Sequence, residues 1–244
     1  MSSKKIALVT GANKGIGFET VRQLAAKGIT VLLGARDEKR GAEAAAKLRG
    51  EGLDVEFLQL DVNDTASQDS AAKVIADKYG KLDILINNAG VAQDFRISAS
   101  QATLDQWRTT FETNVFSLVS LTQKLLPLVK KSDAGRIVNL TSILGSLTMH
   151  SDPKSPIALA SSSGTAYNAS KAAVNMFTVN LANELKGTSV KVNAAHPGWV
   201  KTDMGGEEAP LEVADGAKTS VILATLPDDG PTGGYFFLHD KLPW

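Results

Sequence analysis

Short apolar runs alternate along the chain with longer stretches whose apolar residues recur at helical spacing. Ile6-Ala-Leu-Val9 reads as a buried strand, and a helix through Val21, Leu24 and Ala25 follows a Gly-rich turn. Thr30-Val-Leu-Leu33 and Val55-Glu-Phe-Leu-Gln-Leu60 are the next strands, with a helix over Ala42–Leu48 between them and another over Ala71–Tyr79 behind. Asp83-Ile-Leu-Ile86, Arg136-Ile-Val-Asn-Leu140 and Val190-Lys-Val-Asn-Ala194 continue the series, and Gly234-Tyr-Phe-Phe-Leu238 is a candidate seventh strand. Long helical patterns cover Leu104–Lys130 and the stretch from Tyr167 to Leu185. Strands that alternate with helices pair in parallel through right-handed crossovers. The expected fold class is therefore α/β: a doubly wound parallel sheet of about seven strands with helices on both faces. The largest irregular piece is Ser146–Thr165, rich in Ser and Pro. The whole of 1–244 reads as one domain with that segment inserted.

Composition narrows the function classes. The 244 residues carry 26 basic and 26 acidic side chains, so nothing draws the chain to nucleic acid or an anionic membrane. There is no Cys, and the three His are far apart, so neither a thiolate site nor a His-based metal site is expected. The polar start and the short apolar run after it do not make a signal sequence, and no run approaches a membrane span. A soluble cytoplasmic protein is the expectation.

In a parallel sheet of this kind, ligands bind beyond the carboxyl ends of the strands. The unusual residues fall there: Gly11, Gly15 and Gly17 after the first strand, Arg36 after the second, Asp61 after the third, Asn88 and Gly90 after the fourth, Ser142 after the fifth, Pro197-Gly198 after the sixth. Glycines between a strand and a helix let backbone approach a phosphate on the helix N-terminus; a tight structural turn is the other reading. Lys14 sits inside that loop, and Arg36 ends the second strand, where an NAD enzyme carries an acid that accepts from the ribose hydroxyls. Arg can pair with a 2′-phosphate, which favours NADPH; two solvated cations are the alternative. Tyr167 and Lys171, four residues apart on a helix, share a face. A nearby ammonium is expected to lower the phenol toward neutrality, where it can exchange a proton with a carbonyl or alcohol oxygen. Taken alone, such a pair more often means one buried ring and one solvated amine.

Thr10-Gly-Ala-Asn-Lys-Gly-Ile-Gly17, Asn87-Asn-Ala-Gly90, Asn114, Ser142, Tyr167-x-x-x-Lys171 and Pro197-Gly-x-x-x-Thr202 together resemble the short-chain dehydrogenase/reductase family, in order and over nearly the whole chain. The wording Gly11–Gly17, Gly34-Ala-Arg-Asp37 and Pro197-Gly-Trp-Val-Lys-Thr-Asp-Met204 is most similar to its NADPH-dependent carbonyl reductase branch, as is the long Ser142–Tyr167 separation.

The resemblance implies a Rossmann-type fold and the following roles. Tyr167 is the general acid, Lys171 tunes it and holds the nicotinamide ribose, Ser142 donates to the substrate carbonyl, and Asn114 helps to hold a relay water. Gly11, Asn13, Lys14, Gly15, Ile16, Gly17 and Arg36 hold the phosphates. Asp61 and Val62 flank the adenine, and Asn88, Ala89 and Gly90 line the ribose. Pro197, Gly198, Val200 and Thr202 embrace the carboxamide. Ser142, Ile143, Leu144, Tyr167, Trp199 and Met204 border the substrate, although Trp199 and Met204 equally read as packing on the last helix. The implied activity is NADPH-dependent reduction of small or medium ketones and aldehydes. A reductase of one biosynthetic ketone (steroid, terpenoid or acyl-thioester) and an NADP(H)-sensing regulator without turnover are the other readings. The inserted Ser146–Thr165 segment is expected to cover the helical face through which relatives associate, giving a monomer, with dimer and tetramer left open.

Overall fold

The computed structural model describes residues 4–158 and 163–244. Among the described residues, eight strands form one sheet in the order β3-β2-β1-β4-β5-β6-β7-β8. They are β1 (Ile6–Val9), β2 (Thr30–Ala35), β3 (Val55–Gln59), β4 (Ile84–Asn87), β5 (Arg136–Leu140), β6 (Lys191–Ala195), β7 (Tyr235–Phe237) and β8 (Asp240–Lys241). The first seven pair in parallel, and β8 turns back antiparallel on β7. The eighth strand, two polar residues long, has no apolar pattern and is invisible to periodicity.

Each inner strand feeds two cores. Ala7 and Val9 enter one hydrophobic cluster while Ile6 and Leu8 enter the other; Ile84 and Ile86 oppose Leu85, and Val138 opposes Ile137, in the same way. Successive side chains point to opposite faces, so a strand covered on both faces reads as an unbroken apolar run. One face is covered by α1 (Gly15–Ala26), α2 (Glu38–Gly50) and α8 (Val213–Ala224), which supply Val21, Leu24, Leu48 and Val221. The other is covered by α3 (Thr65–Tyr79), α5 (Ser117–Val129) and α7 (Thr165–Glu184), which supply Ile75, Leu121, Leu125 and Leu181.

Two helices start earlier than their apolar spacing indicates. The Asp37 side chain accepts from Arg40 N and starts α2; the Asp64 side chain accepts from Ala66 N and starts α3. A side-chain acceptor satisfies an amide that the first turn leaves unpaired, so polar turns ahead of the apolar stripe are helical as well. The expected Leu104–Lys130 helix is two α-helical pieces, α4 (Leu104–Phe111) and α5, joined by a π-helical turn at Glu112–Phe116. A capping box between Thr103 and Gln106 opens α4.

The inserted segment is less irregular than its composition implies. Leu147–Ser151 forms a short helix, α6, capped by Ser146, and Thr165 already belongs to α7. Residues 159–162 of the segment lie outside the described residues. Ser146 Oγ donates to Pro243 O at 2.8 Å and Thr148 N to Trp244 O at 3.0 Å, so this piece packs against residues 243–244. Leu104, Phe116 and Met176 are 69%, 56% and 61% exposed, so the described part of the segment leaves apolar positions on α4, the π turn and α7 open. No helix among the described residues is long and apolar enough to cross a membrane.

Candidate active site

The order of the sheet reverses between β1 and β4, which run side by side from a common start. The connections leave in opposite directions there and open a crevice beyond the carboxyl ends. A cleft of about 610 Å³ occupies it. Gly11, Asn13, Lys14, Gly15, Ile16 and Gly17 line it from the β1–α1 loop, Arg36 from the end of β2, Asp61 and Val62 from the end of β3, and Asn88, Ala89 and Gly90 from the end of β4. Tyr167, Lys171, Pro197, Thr202 and Met204 complete its far end. Gly198 and Val200 do not line it: Val200 is buried against Gly216 and bridges Leu211, and Gly198 packs by Leu211 and Phe237. Trp199 is 56% exposed and spends its indole N–H on Gly205 O. Asn63, Val91, Thr113, Thr141, Lys201 and Asp203 also line the cleft. Sequence reasoning misses them: Lys201 and Asp203 lie within the Pro197–Met204 stretch without being singled out by it, and Asn63, Val91, Thr113 and Thr141 follow no pattern distinct from an ordinary loop, helix or strand end.

The glycine loop is built for close approach. Gly11 has φ +61°, and a Cβ on Gly17 would lie 2.5 Å from Asn88 Nδ2 and 2.8 Å from Gly11 O. Asn88 in turn donates to Thr10 O at 2.8 Å and to Gly11 O at 3.2 Å, which ties the β4 end to the loop. Lys14 precedes α1 without any side-chain cap, so the first amides of this helix face the cleft unclaimed by a protein side chain. An uncapped helix N-terminus beside glycines suits a phosphate. Lys14 Nζ contacts Asp203 Oδ2 across the mouth, linking the β1–α1 loop to the β6–α8 loop. Arg36 is exposed at the cleft and has no hydrogen-bond or ion-pair partner among the described residues.

At the other end stand Tyr167 and Lys171, with the Ser142 hydroxyl beside Tyr167. The helix places Tyr167 and Lys171 one turn apart, with Lys171 Nζ 5.6 Å from the phenol ring centroid. Lys171 is 4% exposed and gives its Nζ to Leu140 O at 2.9 Å. Burial pushes the Tyr167 phenol up to about 12, with the neighbouring Ser142 hydroxyl pulling the other way. Burial pushes Lys171 down to about 8. The expected lowering of the phenol by an adjacent ammonium is thus outweighed in the protein alone. Desolvation penalises both charged forms at once, and the ammonium is turned to a strand carbonyl.

Asn114 does not bond within its own helix. Its amide accepts from Val91 N and donates to Val91 O, both at 2.8 Å, and donates to Ser170 Oγ at 3.0 Å. The π turn offers a physical reason, since one extra residue in a helical turn redirects the side chains it carries, and such turns recur at functional sites. Asp94, fully buried, accepts from Ala166 N at 2.7 Å and Tyr167 N at 3.3 Å and so holds the start of α7; Phe95 sets its ring edgewise to Tyr167 at 5.0 Å. In the sequence this Asp is indistinguishable from a turn Asp.

His196, 9% exposed at the end of β6, accepts from Ile143 N through Nδ1 at 3.2 Å. Burial lowers it from 6.5 to about 4. A group whose folded value is depressed stabilises the fold above its unfolded value and loses that contribution as pH falls through the folded one. Stability is therefore expected to drop by about 3 kcal/mol between pH 6.5 and 4 from this residue, at 1.36 kcal/mol per unit. Denaturant unfolding of the wild type and of His196→Asn across that window checks it: the wild type should show the steeper loss. Parallel curves would remove His196 from the account.

The chain belongs to the short-chain dehydrogenase family, whose model matches residues 5–212. Among curated proteins it is 36% identical over 281 residues to carbonyl reductase (NADPH) 1 of Mus musculus, covering 100% of this chain and 99% of that protein. It is likewise 36% identical to (-)-isopiperitenone reductase of Mentha piperita, covering 98% and 97%. Among solved structures, the NADPH-bound carbonyl reductase from chicken fatty liver superposes with a TM-score of 0.86 at 29% identity, over 99% of both chains.

Proposed function

We propose that the protein is an NADP(H)-dependent reductase of small or medium ketones and aldehydes, with Tyr167 as proton donor. The observation that carries the reading is that Tyr167, with Ser142 beside it, and Lys171 line one end of a cleft whose other end is a glycine-lined helix N-terminus next to Arg36, which has no partner among the described residues. The residues present fit the cofactor: backbone amides of Gly15–Gly17 for the pyrophosphate, Arg36 for a 2′-phosphate, and Lys171 and Asn88 near the riboses. When bound, NADPH supplies the hydride. Tyr167 then gives its proton to the carbonyl oxygen, and Ser142 donates to the same oxygen as charge develops on it. Lys171 keeps a donor at the floor of the site, and Asn114 holds the Val91 backbone beside it. The names of the mouse and chicken relatives, both NADPH carbonyl reductases, support the cofactor and the reaction. The peppermint relative supports a second reading, a cyclic terpenoid ketone as the particular substrate.

Loss of NADPH absorbance with a panel of aliphatic, aromatic and cyclic terpenoid ketones tests both. Turnover confined to terpenoids would select the narrower reading. Tight NADPH binding without turnover of any ketone or aldehyde would leave only a sensor.

Arg36→Ala is expected to weaken NADPH on the order of tenfold to a hundredfold and NADH little, since a charged contact is worth about 1.5–3 kcal/mol. Fluorescence titration of both nucleotides decides the point. Equal losses would show that Arg36 does not read the phosphate. Lys14, already paired with Asp203, would then be the residue to replace.

A further inference from the structure

The parallel ladder between β5 and β6 does not stop where its backbone does. Leu140 pairs with Ala195, and Thr141 N donates to Ala195 O at 2.9 Å. In a parallel ladder the next donor on this edge, Ile143 N, would reach the carbonyl two residues further along the partner. That partner residue is Pro197, and the chain is turning away there, with Gly198 at φ +85°. Ile143 N instead donates to the side chain of His196, 3.2 Å to Nδ1. An imidazole nitrogen thus supplies the rung that the departing backbone cannot.

Ser142 lies between these two rungs. Its own backbone is extended, with φ −151° and ψ 149°. Upstream, Thr141 is held by Ala195 O and by its hydroxyl to Lys171 O at 3.3 Å; downstream, Ile143 is held by His196. The next turn is anchored separately, by Asn175 Nδ2 to Gly145 O at 3.2 Å. We propose that His196 is a positioning residue for the reaction: its Nδ1 fixes the Ser142–Ile143 peptide and thereby aims the Ser142 hydroxyl at Tyr167 and the substrate carbonyl. The inference rests on the reading of Ser142 given under Proposed function and adds a residue to it.

The chemistry of the ring agrees. An amide N–H only donates, so Nδ1 is the bare nitrogen and the proton sits on Nε2. Burial keeps the ring uncharged through neutral pH, and the tilted contact with Phe237, 5.4 Å between centroids, fixes its plane. His196 N is itself paired with Phe236 O at 2.8 Å, so the acceptor stands on the sheet and not on a loop.

Two substitutions separate acceptor from bulk. His196→Leu keeps apolar volume and loses the acceptor. His196→Asn places an oxygen at about the reach of Nδ1. The expected result is a kcat lower by roughly tenfold to a hundredfold in His196→Leu, the scale of a misplaced catalytic group, with NADPH affinity unchanged by fluorescence and most of kcat recovered in His196→Asn. On a Ser142→Ala background, His196→Leu should cost little more, because the group it aims is gone. Wild-type kcat in His196→Leu overturns the proposal. So do equal losses in the Leu and Asn variants, and so does a full additional loss on the Ser142→Ala background. Should the Leu variant not fold, His196→Gln carries the same test, since its carbonyl lies one bond too far out; wild-type kcat there overturns the proposal equally. Full activity in Ser142→Ala itself would instead sink the reading of Ser142, and is thereby told apart from a failure of His196 alone.

Discussion

Tyr167→Phe is expected to bind NADPH as the wild type does and to reduce ketones at least about a hundredfold more slowly. The ring is 7% exposed and packs edgewise on Phe95, and both features survive loss of the hydroxyl. What disappears is the only phenol among the described residues that line the cleft, held neutral by burial at about 12 and therefore still carrying its proton at working pH. A neutral phenol beside a donor such as Ser142 suits the reducing direction, in which a proton must be delivered to oxygen. Titrating NADPH by fluorescence and following its oxidation in the same variant separates the two effects. Turnover close to wild type would remove Tyr167 from the mechanism.

Lys171→Met should abolish turnover, by a hundredfold or more, and raise stability at the same time. The ammonium is 4% exposed, and burial lowers it from 10.5 to about 8. With a depressed folded value, its contribution is fully favourable only above 10.5 and is lost as pH falls through about 8. At pH 7 the wild type therefore carries a buried charge that Met does not. The shift corresponds to about 3 kcal/mol, and the lost bond to Leu140 O returns about 1 kcal/mol of it. A net gain on the order of 1–3 kcal/mol is expected for Met at pH 7, closing toward zero near pH 10. Urea unfolding at the two pH values reads both numbers. A Met variant less stable than the wild type at pH 7 would mean that the Lys171 bond to the strand outweighs its desolvation.

Lys171→Met is the variant in which function and stability are expected to part company. Tyr167, Lys171 and His196 are all buried ionisable groups, and each is held by desolvation in its uncharged direction. Of the three, only Lys171 carries its charge at neutral pH and so weakens the fold there, and such a group is retained where chemistry needs it.

The alternation of apolar runs and helical patterns already determined an α/β sheet, because strands buried on both faces are mostly apolar along their length. Ile6–Val9 matches its observed strand to the residue for that reason, while Arg136–Leu140 matches although it buries Arg136 and Asn139 within the run. The spacing of Tyr167 and Lys171 also determined their common face, since one helical turn is a local property. Caps were less visible: Asp37 and Asp64 start helices that the apolar stripe joins only later, and β8 has no stripe at all. The placement of the cleft lining came from the strand ends, which are likewise local. What only the tertiary structure decided depends on pieces far apart in the chain. Burial of the phenol and the ammonium turned their proton affinities in directions that spacing alone did not foresee. Asp94 reached the start of α7 across 72 residues, and His196 reached Ile143 across 53. Lys14 was taken by Asp203, while Arg36 at the cleft has no partner among the described residues. Desolvation and long-range hydrogen bonds are properties of the folded surroundings, and no local pattern of residues encodes which neighbour will arrive.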